Sequence, residues 1–488
     1  MNKDVLQDFK EINKSLRKED KSLRNRLQSI IFDNQFLERQ VFPTFNYPII
    51  PNERCGLWYC NPSKYENTSY FKSTDGHVNQ WDFSTRRLNF HLLPIIGREG
   101  GVIVLDSTRR GKKIPDALSK TVPIWCAVLN YLILEDEGKT WPFEEKILFV
   151  PPNTVPASEH DMILSKIPAL VEKLKKIDII NAKKLKESLN MSNPKRKLLR
   201  PLWVYPGSSL LQMNHDMFTG EELTDNQWLP PDDIIPIILC TVSYQCQDGT
   251  DKRHGFTYVQ GAADDHELWA ADLTPQLFWE NIDTLGDITK SDQELTEIYN
   301  DIISKKSQHN INNDTKDFNK LIQTDSITDD LRLGVLSSEI SFSEDVVNIL
   351  KQRYRMSIIC DEKTFKEVEN IELPDNVHIY PLSSGSKKSS RDLRTHLISI
   401  NALLKRSLAT TNPKLPVLIA CNNGKDMSVS VLIVALCLYY NLQWELQPQD
   451  SVNKTIIKKH LAKIIDSLHG KNVNPSRATL NSVNSFLM

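Results

Sequence analysis

The chain holds 488 residues, enough for two or three domains with sizeable cores. With 40% hydrophobic residues, 25% charged residues and a formal net charge of −2, it has no global basic field, so any nucleic-acid surface has to be local. Eight scattered cysteines offer no zinc framework and fit a reducing cytosolic or nuclear setting, of which the cytoplasmic one is expected, and no membrane partner is expected, because no apolar run approaches the roughly 20 residues of a bilayer span.

Residues 1–42 read as a helical segment, with apolar positions at Leu6, Phe9, Ile12 and Leu16 and again at Leu23, Leu27, Ile30 and Ile31. Acids mixed with bases at its start suit neither a signal nor a transit peptide. Its basic side, including Arg17, Arg24 and Arg26, is either a solvated face or a helix lying along nucleic-acid backbone. Pro43 ends the segment.

The stretch from Tyr70 to Lys120 concentrates the chemistry. YFKSTDGH groups Lys72, Ser73, Thr74, Asp75, Gly76 and His77, and QWDFSTRRLN adds Arg86 and Arg87. A β-branched run at Gly101–Leu105 predicts a buried strand. It empties into Asp106, Ser107, Thr108, Arg109, Arg110, Gly111 and Lys112, before an apolar helix that carries Lys120 and has Pro123 near its first turn. Strand, polar loop and helix start together bring backbone N–H groups, hydroxyls and fixed cations to one point, the makings of a phosphate site.

Further on, a short strand is expected within WPFEEKILFV, then a helix entered at Ser158 with one break in its course. Lys195, Arg196, Lys197 and Arg200 form a basic cluster, either solvated surface or a patch that contacts RNA phosphates. Strands are predicted at Leu202–Tyr205 and Ile234–Val242. Asp264 and Asp265, followed by His266 and Glu267, mark a turn or helix start; their carboxylates are either an exposed helix N-terminus or ligands for a magnesium–phosphate complex. Residues 288–330 are polar and read as a linker. Beyond them strands at Met356–Ile359, Val377–Ile379 and Val417–Ala420 alternate with helices at Asp392–Leu408, Ser428–Tyr440 and Thr455–Leu468. The expected architecture is therefore α/β: the helical segment 1–42, a large mixed α/β domain at 43–287, the linker at 288–330 and a smaller α/β domain at 331–488.

In that last domain, strand, Cys-led loop and helix resemble the phosphate loop of the protein tyrosine and dual-specificity phosphatases. Cys421, Asn422, Asn423, Gly424, Lys425, Asp426 and Ser428 make up the loop and its hydroxyl position. Ala420 stands where that family has His, and Met427 where it has the phosphate-binding Arg. Methionine supplies neither donor nor charge, which removes ordinary phosphatase chemistry and leaves a loop that either holds phosphate or is only structural.

YFKSTDGH, QWDFSTRRLN, LDSTRRGKKIPDALSKTVPIWCAVLN, YVQGAADDHELWA and the CNNGKDMS loop together resemble the fungal and plant initiator-tRNA ribosylphosphate transferases. The resemblance implies transfer of 5-phosphoribosyl from phosphoribosyl pyrophosphate to the 2′-hydroxyl of adenosine 64 in initiator methionine tRNA, a mark that sets the tRNA apart for translation initiation. Lys72, Arg86, Arg87, Arg109, Arg110, Lys112 and Lys120 are then the candidate cations for the donor. Asp106, Asp264 and Asp265 are candidates to hold Mg²⁺. Asp75, His77 and Asp106 are candidates for acid–base work at the acceptor, with the choice among them open. The loop after the VIVL strand is a poor match to the usual phosphoribosyltransferase signature, so donor binding needs another arrangement. The N-terminal loop is the favoured donor site because it keeps the arginines that the Cys421 loop lacks. A phosphatase-like protein and a non-catalytic tRNA-binding protein are the competing readings.

Overall fold

A computed structural model of the protein describes residues 20–53, 55–72, 80–109, 111–191, 197–212, 228–270, 273–309, 321–337, 342–409, 415–449, 451–468, 471 and 473–488. It is α/β, in two compact units. The first comprises residues 1–83, 92–174 and 180–305, and the second comprises residues 84–91, 175–179 and 306–488.

The first unit is built on a four-stranded parallel sheet ordered β1-β2-β4-β3. Its strands are β1 (Ile49–Pro51), β2 (Val102–Asp106), β3 (Leu198–Val204) and β4 (Ile234–Thr241). Every residue of β2 is buried, as is all of β4 beyond its first residue, which is why both read as unbroken apolar runs. Helix α1 (Leu23–Phe36) falls within the predicted N-terminal segment, but its buried face is partly polar. Asn25, Ser29 and Asp33, spaced four apart, meet the strand β6 (Phe256–Val259) of a two-stranded hairpin begun by β5 (Thr250–Arg253). Thr257 N donates to Asn25 Oδ1 at 3.0 Å, Val259 N to Ser29 Oγ at 2.8 Å, and the Tyr258 hydroxyl to Asp33 Oδ1 at 2.8 Å. The helix thus does for β6 what a neighbouring strand would do, and satisfies its backbone donors.

Helix α2 (Val122–Asp136) is buried on nearly every side, with Pro123 in its first turn where a missing N–H costs little. Together with the turn before it, Ala117–Asp136 is long and apolar enough to cross a bilayer, yet it is mostly buried inside the protein, as a core helix is. Its Asn130 caps the sheet edge: Nδ2 donates to Leu199 O and Oδ1 accepts from Leu199 N, both at 2.9 Å. Helix α3 (Ala157–Lys175) and a shorter helix at Ala182–Ser188 follow the predicted break. No strand forms at residues 146–150; Ile147 and Leu148 are buried there as two isolated anchors, without a ladder.

The second unit carries a five-stranded sheet ordered β10-β9-β11-β8-β7. Its strands are β7 (Ile322–Ser326), β8 (Leu331–Leu336), β9 (Met356–Cys360), β10 (Val377–Tyr380) and β11 (Val417–Cys421), all parallel except β7 against β8. Helices α4 (Lys387–Leu408), α5 (Met427–Tyr439), α6 (Lys454–Ser467) and α7 (Arg477–Leu487) share one apolar core with β8, β9 and β11. Residues 288–330, expected as a linker, contribute both a helix at Asp292–His309 and the strand β7.

Candidate functional site

In a parallel sheet, ligands bind beyond the carboxyl ends of the strands, and the functional residues of the first unit gather there. Asn52 lies just past β1, Asp106 ends β2, and Ser243 lies just past β4. The buried Asp106 carboxylate is occupied by the protein: Oδ2 accepts from Asn52 Nδ2 at 2.8 Å and Oδ1 from Ser107 N at 2.9 Å. Ser243 Oγ accepts from Thr108 N at 3.1 Å and donates to Thr108 O at 3.0 Å, so Thr108 is fixed through its backbone. Ser107 and Thr108 are both buried beneath the loop.

The β5–β6 hairpin delivers the opposing wall. Gln260, buried just after β6, accepts from Gly111 N at 2.9 Å and Cys246 N at 2.9 Å, and donates to Lys112 O at 2.7 Å. Gly111 sits at φ +67°, a left-handed conformation that suits glycine. Gly261, also at φ +67°, packs flat against Thr108 and Arg109. Between these segments opens a cavity of about 460 Å³, lined among others by Lys21, Arg26, Arg109, Lys112, Asp264 and Asp265.

Arg109 crosses this cavity to the acids, with Nη1 2.8 Å from Asp265 Oδ2 and Nε 3.6 Å from Asp264 Oδ2. The Arg109 side chain is 57% exposed, so these pairs are worth only about 0–1 kcal/mol and exchange readily for a better anion. Asp265 heads the short helix His266–Trp269 from a left-handed conformation at φ 52°. Asp264 accepts from the Cys55 thiol at 2.7 Å, and its carbonyl from Trp269 Nε1 at 3.1 Å.

Other expected cations stand elsewhere. Lys120 Nζ lies 2.9 Å from Glu159, whose carboxylate also accepts from Trp81 Nε1 at 2.9 Å. Lys72 contributes its carbonyl to the Thr121 hydroxyl at 2.8 Å. Arg86 and Arg87 belong to the second unit, where Arg87 Nε donates to Asn474 Oδ1 at 2.8 Å. Of the basic cluster, Lys197 is exposed and the Arg200 guanidinium lies 3.4 Å from the centre of the Phe149 ring. Ser73, Thr74, Asp75, Gly76, His77, Arg110, Lys195 and Arg196 lie outside the described residues.

The Cys421 loop follows β11 in the second unit. Cys421 Sγ is 2.9 Å from Ser428 Oγ and accepts from Gly424 N at 3.2 Å. Asn423 Oδ1 accepts from Lys425 N at 2.9 Å, while Asp426 takes Gly385 N at 3.2 Å and Ser476 N at 3.0 Å. Much of the loop's polar capacity is therefore spent within the protein; Asn422 is exposed at its tip. Met427 is fully buried in the apolar core, which explains how the position tolerates the loss of an arginine fork.

The model of the Rit1 N-terminal domain matches residues 16–304, and that of the Rit1 DUSP-like domain matches residues 376–487. The chain belongs to the Rit1 family. A Saccharomyces cerevisiae relative named tRNA A64-2'-O-ribosylphosphate transferase is 52% identical over 501 residues, spanning 100% of this chain and 96% of that protein. An uncharacterized Schizosaccharomyces pombe protein is 34% identical over 481 residues, spanning 95% of this chain and 94% of its own length. In this Rit1 chain the cavity joins Arg109, Lys112, Asp264 and Asp265 to Lys21 and Arg26, from the helix side read as solvated or RNA-facing, and to Gln260, which no motif had marked. No group of three or more His, Cys, Asp or Glu side chains is placed to hold a metal among the described residues.

Proposed function

We propose that this Rit1-family enzyme moves 5-phosphoribosyl from phosphoribosyl pyrophosphate to the 2′-hydroxyl of adenosine 64 of initiator methionine tRNA, and that the cavity beside Arg109 receives the donor. The observation that carries the donor site is the meeting of Arg109 and Lys112 with Asp264 and Asp265 on one cavity. Its volume falls within the roughly 300–1,000 Å³ of small-molecule sites. The nature of the reaction rests on the full-length relative named for it.

In this reaction the acceptor oxygen forms a bond to the anomeric carbon, the bond from that carbon to pyrophosphate breaks with its electron pair leaving on oxygen, and the acceptor proton passes to a base. Diphosphate charge calls for guanidinium and ammonium donors, which Arg109 and Lys112 supply. Were magnesium to accompany the diphosphate, Asp264 and Asp265 would hold it, within the one or two protein carboxylates such an ion usually takes. Asp106, whose oxygens accept from Asn52 and Ser107, stays a third candidate. When bound, the ion would neutralise charge developing on the leaving group. Asp75 and His77 stay the candidates for the base. The protein is placed in the cytoplasm on the same reading.

The test is incubation of the protein with labelled phosphoribosyl pyrophosphate, Mg²⁺ and unmodified initiator tRNA. Label is expected in the tRNA, at adenosine 64. Arg109→Ala combined with Arg110→Ala is expected to cut transfer at least 100-fold while tRNA binding stays measurable. Absence of label with folded wild-type protein sinks the reading, and full activity in the double variant moves the donor elsewhere.

A further inference from the structure

Helix α1 contributes more than packing. Its polar stripe fixes its register on β6, since Asn25 and Ser29 each accept from a backbone N–H of that strand. Arg26, next to Asn25, is thereby directed at the loop that follows the strand. Its Nη1 donates to Ala262 O at 2.6 Å and its Nε to Lys21 O at 3.2 Å. Its guanidinium carbon sits 5.3 Å from the centre of the Trp269 ring. The same Trp269 donates to the backbone carbonyl of Asp264, so one indole braces Arg26 and the loop backbone that bears an acid of the cavity.

We propose that Arg26 is a second guanidinium for the donor's diphosphate, sharing the cavity with Arg109 and held ready by Trp269 and Ala262. This rests on the donor reading given above. Arg109 is paired to carboxylates, whereas both hydrogen-bond acceptors of Arg26 are backbone carbonyls, which carry no formal charge of their own. Two of its five N–H groups are engaged there, and Nη2 is given no partner among the described residues. Burial lowers the Arg26 pKa, because water is withdrawn from the charged form faster than the neighbouring Asp265 and Asp264 compensate. A half-buried cation of this kind, facing a cavity, gains most from an anionic ligand. Being braced on both sides, it also loses little rotamer freedom on binding. Lys21 and Lys112 add point charges around it.

The experiment measures binding of magnesium pyrophosphate by calorimetry and the KM for phosphoribosyl pyrophosphate in wild type, Arg26→Gln, Arg26→Lys and Arg109→Ala, with tRNA affinity at two salt concentrations. Arg26→Gln is expected to weaken pyrophosphate binding and raise KM about 10- to 100-fold, with tRNA affinity within about twofold of wild type. Arg26→Lys should recover only part of the loss, because a point charge lacks the fork. Should thermal melting show that Arg26→Gln does not fold, Arg26→Lys alone carries the comparison. Pyrophosphate affinity within twofold of wild type in a folded variant overturns the inference. So does a loss confined to tRNA affinity with a salt slope reduced by about one, which would put Arg26 on the RNA backbone. Wild type that binds no pyrophosphate refutes the donor site itself; loss in Arg109→Ala without loss in either Arg26 variant refutes only the role of Arg26.

Discussion

Gly261 shows how tightly the two walls of the cavity are set. A Cβ there would stand 2.9 Å from Arg109 Cβ and 2.9 Å from Thr108 O, and the backbone is already at φ +67°. Gly207 provides a matched control, with φ +80° and open space around the same point. Gly207→Ala should therefore cost only the left-handed penalty, about 1–2 kcal/mol. Gly261→Ala should cost more in thermal stability and also raise the KM for the donor about tenfold, since the loop bearing Arg109 must move. Equal donor KM in the two variants would show that the contact does not shape the site. At this scale Arg109, Lys112, Asp264 and Asp265 were legible in the sequence because each sits in a short run of unusual chemistry. Gln260 was not, and Arg26 was marked only as part of a basic helix face and not as a neighbour of the cavity, because their places are defined by partners about 150 and 236 residues away. Arg86 and Arg87, near Arg109 along the chain, fall in the other unit, a partition that nearness in sequence does not reveal.

Among the elements, the buried strands and apolar helices of both units were readable because one period or one continuous apolar run decides them. Three of the features that position the site carried no such signal. Strand β1 has only three residues, the β5–β6 hairpin is largely polar, and the buried face of α1 presents Asn25, Ser29 and Asp33 where a periodicity argument seeks apolar groups. Polar side chains that replace a ladder partner look like solvated ones until the strand they serve is known. Asn130 is a second case, closing the β3 edge through both backbone groups of Leu199. Asn130→Ala leaves a buried donor and a buried acceptor unmet, and is expected to lower unfolding stability by about 2–4 kcal/mol. The signature is a shifted denaturant midpoint at unchanged slope; a loss under 0.5 kcal/mol would mean that water serves Leu199 instead.

Across the whole molecule, each unit has its own sheet and its own apolar core, and the alternation of strands and helices announced an α/β chain before any coordinates. The strand β7 escaped that reading because four of its five residues are polar and pass for linker. The α1–β6 seam has a consequence in time. Its three contacts join residues 232, 230 and 225 positions apart, so a chain made from its N-terminus holds α1 long before anything can receive its polar stripe. At a synthesis rate of about 5–20 residues per second, that interval is roughly 10–45 s. A ribosome-bound chain halted after β4 would have the strands of the sheet but neither Gln260 nor the partner that aims Arg26. Protease protection of α1 should appear only in chains arrested far enough beyond Asp265 for the hairpin to clear the exit tunnel; protection in shorter chains would show that α1 docks without it. The anion site is thus assembled late in the making of its unit.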